Sequence, residues 1–488
     1  MAIEQPLHQP NPQNPHQNRQ DPSPSRLHRQ SPEDPQSTPQ VESGEKLIRV
    51  LAFTLILSSM SATMFNFVIP EIREDFRLPF SQVSWVSAIY LLIYAIGAVI
   101  YGKLADTFKL KNLLTFGLFF FFAGSLVGLA SQAYWMVLLA RVLQSVGASV
   151  IPATAMIIPV RYFPAETRGR ALGISATGLA TGNAVGPVVS ALVVSFLHWR
   201  WLFCIPLLVL FTLPFYRKYL NHEQGGGGRI DWLGGGLLAG TVALLMLAVT
   251  TGEWQLAAGS ALFLIGFLAR IRTAKEPFVQ PRLFRNRQYT QGLVLSVLIM
   301  GVGFSLSLLT PQLLADVHRL EPGWIGFAMV PAAVISALLG RKGGKLADAK
   351  GNPFLFMTAS GLLIVCFALM SSFTGISPVW ISVFLVFGNV GQMFIGIALS
   401  NTLSRTLPKE QTGVGMGLMQ LLSFLSSAVS AGIYSKVTDH GAGLSLNPLN
   451  AEPESYIYGN VYAVLALSHI GILVFYRFVF SRVRQAGD

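Results

Sequence analysis

The pentapeptide GKLAD occurs twice in this chain, at Gly102–Asp106 and again at Gly344–Asp348. Each copy follows one long apolar run and precedes another, which indicates a duplicated set of apolar segments. The mean hydropathy is +0.52 and only 12% of the 488 residues are charged, whereas about a quarter of the residues are charged in soluble domains. The composition therefore predicts an all-α membrane protein whose two halves share one plan.

Fourteen apolar runs are long enough to cross a membrane as helices, at about 20 residues per crossing. The predicted spans are 47–70, 82–104, 112–132, 135–158, 168–195, 199–217, 231–251, 254–272, 288–312, 323–343, 353–373, 378–401, 412–435 and 459–479. The two GKLAD copies close predicted helices 2 and 10. This placement predicts two six-helix bundles, at 46–220 and 288–480, and a central linker at 221–287 that contributes helices 7 and 8.

The two ends of the chain differ from the rest. Residues 1–45 hold nine prolines and eight glutamines without an apolar run, so we expect a disordered tail. Residues 481–488 form a second, short tail. Because no signal-peptide pattern precedes it, predicted helix 1 is expected to act as an uncleaved insertion signal.

Basic residues alternate along the predicted loops. The chain has 35 Lys and Arg residues. The loops on one side of the predicted membrane contain only five of them, namely Arg73, Arg77, Arg200, Arg319 and Lys436. Basic loops stay in the cytoplasm, so both termini are predicted to be cytoplasmic. The net charge of +12 is then a topology signal and does not indicate nucleic-acid binding.

Several motifs in order carry a family resemblance. GKLADTFKLKNLL lies at 102–114, LLARVLQSVGAS at 138–149, GNAVGPVVSA at 182–191 and ADVHRLEPGWIG at 315–326; RYFPAETRGRALG and HWRWLFCIP add to them. From about residue 50 onward the chain resembles the major facilitator superfamily. Within that superfamily it looks like the fourteen-helix drug–proton antiporters and, more narrowly, their tetracycline-exporter branch.

The resemblance implies a secondary transporter that exports amphipathic drugs, tetracycline-like or multidrug, across the plasma membrane by alternating access. It implies a small amphipathic substrate, protons, the lipid bilayer and a monomer, with no cofactor and no nucleic acid. A facilitator or a lipid or anion transporter of the same fold, and a non-transporting receptor, are the alternatives. An enzyme is not expected, because GGGGRIDW at 225–232 lacks the lysine of a phosphate-binding loop and Cys204 and Cys366 both lie in apolar runs.

The GKLAD copies supply candidates for gating. An aspartate can cap a neighbouring helix N-terminus, and glycine allows helix ends to approach closely. In the resembled family such an acid latches the two bundles in one state; the alternative is a loop cap without a gating role. The candidates are Gly102, Asp106, Lys111, Gly344 and Asp348. Lys109 replaces the glycine that usually follows the acid.

Predicted helix 5 carries Gly182, Gly186 and Pro187, which allow close packing and a bend. In the resembled antiporters this segment seals the transport cavity. The alternative is plain helix packing.

Arg141 lies about 9 Å inside predicted helix 4. An arginine inside a membrane normally faces a water-filled cavity or a partner, and the resemblance places it near the substrate and links it to proton coupling. Structural anchoring to backbone carbonyls is the alternative. Further polar candidates for substrate binding are Asn66, Asn183 and Gln392.

The carboxylates that such exporters usually carry in helices 1, 5 and 13 are missing, with Ser61, Asn183 and Ser427 in their regions. This absence favours neutral or anionic substrates. Any proton coupling is then expected to use Asp231 or Asp316 near helix ends, where closure would bury the carboxyl and raise its pKa. His469 in predicted helix 14 is interpreted as a packed side chain.

Overall fold

The computed structural model describes residues 37–65, 68–78, 80–83, 85–220, 230–320, 322–408, 411–440, 443–450 and 452–480. Within these ranges the regular secondary structure is helical, and fourteen helices are long and apolar enough to cross a membrane. The predicted number of spanning helices is therefore confirmed.

We number the fourteen spanning helices in chain order. They are α1 Ser37–Met64, α2 Trp85–Thr107, α3 Leu110–Leu129, α4 Tyr134–Tyr162, α5 Arg168–Phe196, α6 Trp199–Tyr219, α7 Trp232–Thr251, α8 Trp254–Thr273, α9 Arg287–Asp316, α10 Pro322–Lys350, α11 Asn352–Ser372, α12 Pro378–Thr406, α13 Thr412–His440 and α14 Tyr456–Phe480. Short helices at Ile69–Phe76, Phe80–Val83 and Arg282–Arg285 lie between them.

The first helix begins earlier than the sequence predicts. α1 starts at Ser37, inside the segment 1–45 that composition assigns to a disordered tail. Tertiary contacts accompany this extension, because Gly44 packs against Phe163 and Glu45 forms an ion pair with Arg170. Residues 1–36, the glycine run at 225–228 and the tail at 481–488 lie outside the described residues.

The buried side chains form two hydrophobic cores. One core is built from α1–α6, and the other is built mainly from α9–α14 with contributions from α7 and α8. The arrangement agrees with two six-helix bundles separated by an inserted pair.

The inserted helix α7 packs over a seam between the bundles. Leu238 and Val242 of α7, Ile96 and Val99 of α2, and Leu421 of α13 surround one small cavity of about 10 Å³. Since α2 belongs to the first bundle and α13 to the second, α7 contacts both.

Small residues set the distance between α5 and α1. A Cβ atom added at Gly178 would lie 2.6 Å from the Ala52 carbonyl oxygen, and one added at Gly182 would meet the Ile56 carbonyl. Gly186 packs in the same way against Thr63. At Gly182 and Gly186, α5 therefore approaches α1 closely, while the side chain of Pro187 lies outside the described residues.

Candidate functional site

The first GKLAD copy joins the two bundles. The Asp106 carboxylate, in the last turn of α2, accepts hydrogen bonds from the backbone N–H groups of Gly413 and Val414, both at 2.9 Å. These two groups lie at the N-terminus of α13, where four N–H groups have no partner within the helix. One turn earlier, Gly102 lies against the Gly413 carbonyl. Asp106 thus caps a helix of the opposite bundle.

The second copy repeats this geometry. The Asp348 carboxylate, near the end of α10, accepts hydrogen bonds from the N–H groups of Gly169 and Arg170 at 2.8 and 2.7 Å. Gly344 lies against the Gly169 carbonyl at the start of α5. The negative charge also interacts favourably with the positive end of the helix dipole. We refer to the two caps as the Asp106 latch and the Asp348 latch.

The two latches close the bundles at one end, which we call the GKLAD end. Nearby, Arg405 of α12 donates to the Ala165 carbonyl at 2.7 Å and adds a third contact between bundles. Farther along, Thr177 packs on Gly340, and the Tyr94 and Phe424 rings meet edge to face with centroids 5.6 Å apart. At 1.5 Å per residue these contacts lie about 12 and 16 Å along α5 and α13 from the latches, so closure extends through roughly half of a 30 Å hydrocarbon layer.

Lys111 is half-buried in the first turn of α3, and its carbonyl accepts a hydrogen bond from Thr115. Lys109 precedes α3 as its N-cap residue. The loop between α2 and α3, which follows the first GKLAD copy, therefore consists of only two residues, Phe108 and Lys109.

Arg141 is fully buried among α1, α2 and α4. Its Nε donates to the Val86 carbonyl at 3.0 Å, and Nη1 donates to the Ser61 carbonyl at 3.2 Å and to Gln144 Oε1 at 3.1 Å. The guanidinium lies over the rings of Phe65 and Tyr90, at 4.4 and 4.0 Å from their centroids. Among the described residues no carboxylate forms an ion pair with Arg141, so carbonyl dipoles and aromatic faces supply the partners for this charge.

Unsatisfied polar atoms surround the guanidinium. Arg141 Nη2 is buried without a hydrogen-bond partner, and the buried hydroxyls of Ser58, Ser61 and Tyr90 lie beside one another without forming hydrogen bonds of regular geometry. Buried polar groups are normally paired. This cluster is therefore suited to hold water or a polar group of a ligand once the bundle interior becomes accessible.

The other polar candidates lie apart from this cluster. Asn183 is exposed on α5, and Gln392 of α12 donates to Met300 Sδ of α9 at 3.6 Å while its Oε1 is buried without a partner. Asn66 lies outside the described residues. In this conformation Arg141 contacts α1 and α2, Gln392 contacts α9, and Asn183 is exposed, so the three side chains are not brought together.

Asp231 is a helix cap with an ion-pair partner. Its carboxylate accepts from Gly234 N–H at 3.1 Å and from Arg270 Nε at 3.1 Å, at the start of α7. Burial raises the pKa of Asp231, but the hydrogen bonds from Arg270 and Gly234 outweigh it and the net pKa is lowered. This direction is opposite to the rise that the sequence predicts on burial, because the carboxylate is buried together with its cation.

Asp316 and His469 have different surroundings. The exposed Asp316 carboxylate, at the end of α9, accepts a hydrogen bond from the Tyr458 hydroxyl of α14. His469 is buried in α14 with its ring 6.3 Å from that of Phe367, and neither ring nitrogen has a hydrogen-bond partner. The packed arrangement agrees with the interpretation of His469.

Sequence reasoning missed the partners of these side chains. Gly413 and Val414 begin the segment TGVGMG at 412–417, whose glycines are the only signal of close approach there. Phe65 and Tyr90 resemble ordinary apolar residues of a spanning helix.

Comparisons with known proteins agree with this architecture. The model of the Major Facilitator Superfamily matches residues 51–431. The chain is 26% identical over 395 residues to the riboflavin transporter RibZ of Clostridioides difficile, covering 79% of this chain and 86% of the relative. It is also 26% identical over 360 residues to multidrug resistance protein 3 of Bacillus subtilis, covering 70% of each chain.

A further relative is the lincomycin resistance protein LmrB of Listeria monocytogenes, which is 26% identical over 400 residues, covering 78% of this chain and 83% of the relative. Among solved structures, the human organic anion transporter MFSD10 superposes with a TM-score of 0.61 at 15% identity, covering 91% of this chain and all of the other. The superposition shows a shared fold.

Proposed function

This chain belongs to the Major Facilitator Superfamily, and we propose that it is a secondary active transporter that exports amphipathic small molecules by alternating access. The main support is the pair of equivalent carboxylate latches, which join the two bundles at the GKLAD end through hydrogen bonds that can be exchanged for water. Rocking of two bundles about a central site is how transporters built from such repeats work.

In this proposal the GKLAD end faces the cytoplasm, as the alternation of basic loops predicts. The closed latches then correspond to a state that releases substrate on the outside. Opening requires the Asp106 and Asp348 carboxylates to leave the N-termini of α13 and α5, after which substrate enters from the cytoplasm. The protein is proposed to act as a monomer in the plasma membrane.

The proposed substrates are neutral or anionic amphipathic molecules, with tetracycline-like and other drugs among them. Two relatives are named for drug resistance and one for riboflavin transport, which together favour small organic compounds as substrates. The Arg141 cluster offers a cation and three hydroxyl groups without a neighbouring carboxylate. Such a site favours a polar or negatively charged group over a permanent cation.

A proton-linked mechanism is the first candidate and a facilitator the second. Asp231 is held in an ion pair with Arg270, whereas Asp316 accepts a hydrogen bond from the neutral Tyr458 hydroxyl, so Asp316 is the better placed of the two to exchange a proton. The missing acids in helices 1, 5 and 13 favour the facilitator.

The test is transport by protein reconstituted in liposomes, with riboflavin, lincomycin and tetracycline as probes and internal pH recorded at the same time. Proton movement that accompanies transport and is lost in Asp316→Asn, but kept in Asp231→Asn, supports coupling through Asp316. Transport without proton movement favours the facilitator. If no probe is transported with or without a pH gradient, the proposed export of such compounds is wrong.

The orientation has its own test. Single cysteines at Lys111 and Lys350, introduced after replacement of Cys204 and Cys366, are expected to react with an impermeant reagent only after the membrane is permeabilised. Labelling in intact cells would reverse the proposed sidedness.

A further inference from the structure

A groove runs between α1 and α6 on the outer surface of the first bundle. It has a volume of about 280 Å³ and is lined by Arg49, Val50, Phe53, Phe211, Thr212 and Phe215. The three phenylalanines are 44%, 71% and 50% exposed, in chain order. The walls are therefore apolar and accessible from the side, as an acyl chain would require.

The groove is a fixed feature of the helix pair. Thr54 Oγ1 and the Tyr216 hydroxyl are joined by a buried hydrogen bond of 2.8 Å between α1 and α6, directly below the groove. Thr54 also donates to the Val50 carbonyl at 2.8 Å. These bonds hold the two helices together behind the groove, so its recess does not depend on the helices moving apart.

Four basic side chains lie at one end of the groove. Lys46 and Arg49 come from the first half of α1, and Arg217 and Lys218 come from the end of α6; all four are exposed. The ammonium groups of Lys46 and Lys218 each lie 5.6 Å from the Tyr219 ring, which brings cations of both helices to one place. The neighbouring acid Glu45 is engaged by Arg170. We call these four residues the basic cluster.

We propose that this groove binds an anionic phospholipid, with an acyl chain along the phenylalanines and the phosphate at the basic cluster. A zwitterionic lipid carries no net charge, so four cations would add little to its binding free energy. A free phosphate would leave the apolar walls of the groove uncovered. The basic cluster lies at the GKLAD end, the end assigned to the cytoplasm, whose membrane leaflet is rich in anionic lipid; basic pockets between helices there bind such headgroups. This inference does not depend on which compound the protein transports.

The experiment is native mass spectrometry of the full-length protein with phosphatidylglycerol and phosphatidylcholine of equal chain length. Wild type is expected to retain phosphatidylglycerol preferentially. Arg49→Gln/Arg217→Gln/Lys218→Gln is expected to reduce that retention at least tenfold, since each basic residue contributes appreciably at a charged surface. The matched control is Arg341→Gln/Lys342→Gln/Lys345→Gln, which removes three exposed basic residues of α10 at the same end and is expected to leave retention unchanged.

A second variant tests the chain-binding part. Val50→Trp fills the groove and keeps the basic cluster, so it is expected to lower retention of phosphatidylglycerol, and glycerol phosphate is expected not to compete in the wild type. Equal loss in the α10 control, equal retention of both lipids by the wild type, or competition by glycerol phosphate would overturn the proposal. Retention that appears only after removal of residues 1–36 would also overturn it, because the tail would then occupy the groove.

Discussion

Weakening the Asp106 latch is expected to open the GKLAD end. Asp106→Asn keeps the side-chain shape but replaces one of two acceptor oxygens by an NH₂ group, which faces an N–H donor of α13. The variant loses one charge-assisted hydrogen bond, worth about 1.5–3 kcal/mol, and the interaction of the charge with the helix N-terminus, worth about 0.3–1 kcal/mol.

We take about 2 kcal/mol as the net effect, since water replaces part of the lost interaction when the end opens. This free energy shifts the ratio of closed to open molecules by roughly 30-fold. Asp348→Asn is expected to act equally, because its two hydrogen bonds have the same pattern. The double variant is expected to combine the two shifts, as the latches lie on different helix pairs.

The assay is the distance between spin labels at the GKLAD end, measured by pulsed electron paramagnetic resonance in lipid nanodiscs. Labels at Asn112 of α3 and Ala349 of α10 are suitable because both positions are exposed on opposite bundles. Glu166→Gln, at an exposed acid of the α4–α5 loop, is the matched control and should leave the distances unchanged. If Asp106→Asn and Asp348→Asn both keep the wild-type distances, the two carboxylates are local caps and do not latch the bundles.

Three further outcomes are expected. Arg141→Lys should lower transport and should also lower the free energy of unfolding by about 2 kcal/mol, seen as a lower melting temperature of the purified protein. The reason is that an ammonium group cannot reproduce the planar set of hydrogen bonds and ring contacts. Lost transport at an unchanged melting temperature would contradict this structural role. Gly182→Ala should destabilise the protein by about 1–3 kcal/mol in the same measurement, whereas Gly361→Ala, where an added Cβ meets nothing within 4 Å, should not. Asp231→Asn should lower the free energy of unfolding by a constant amount between pH 5 and 8, and this difference from wild type should shrink below about pH 4. Because the pKa of Asp231 is lowered in the folded protein, its stabilising charge is present above the pKa of the unfolded chain and is lost in acid. A difference that grows in acid would contradict the ion pair with Arg270.

The helices were predictable because a membrane requires long apolar segments whose backbone groups are satisfied internally. Hydropathy therefore located all fourteen spanning helices, and the largest difference between predicted and observed bounds is at the start of α1. Its extension to Ser37 is accompanied by contacts with Phe163 and with Arg170 at the start of α5, and composition carries no information about such distant contacts.

The candidate site was predictable by residue type but not by partner. An aspartate after a helix predicts a cap, yet nothing near Asp106 in the sequence identifies α13 as the helix that it caps. The cost of burying Arg141 predicts that partners exist, but carbonyls and aromatic faces are available in every helix. For Asp231, burial alone predicts a raised pKa, and the hydrogen bonds from Arg270, a tertiary partner, and from Gly234 reverse the direction.

The position of α7 makes the two halves of the duplication unequal. The seam between α2 and α13 carries an additional helix whose Leu238 and Val242 pack on it, while the equivalent seam between α5 and α10 meets through Gly169, Gly173, Gly340 and Gly344. When the bundles separate, α7 must part from at least one of its two neighbours, whereas the glycine-lined seam can open without displacing an inserted helix. The rotation axis of this transporter should accordingly be offset from its internal twofold, with the larger opening at α5 and α10.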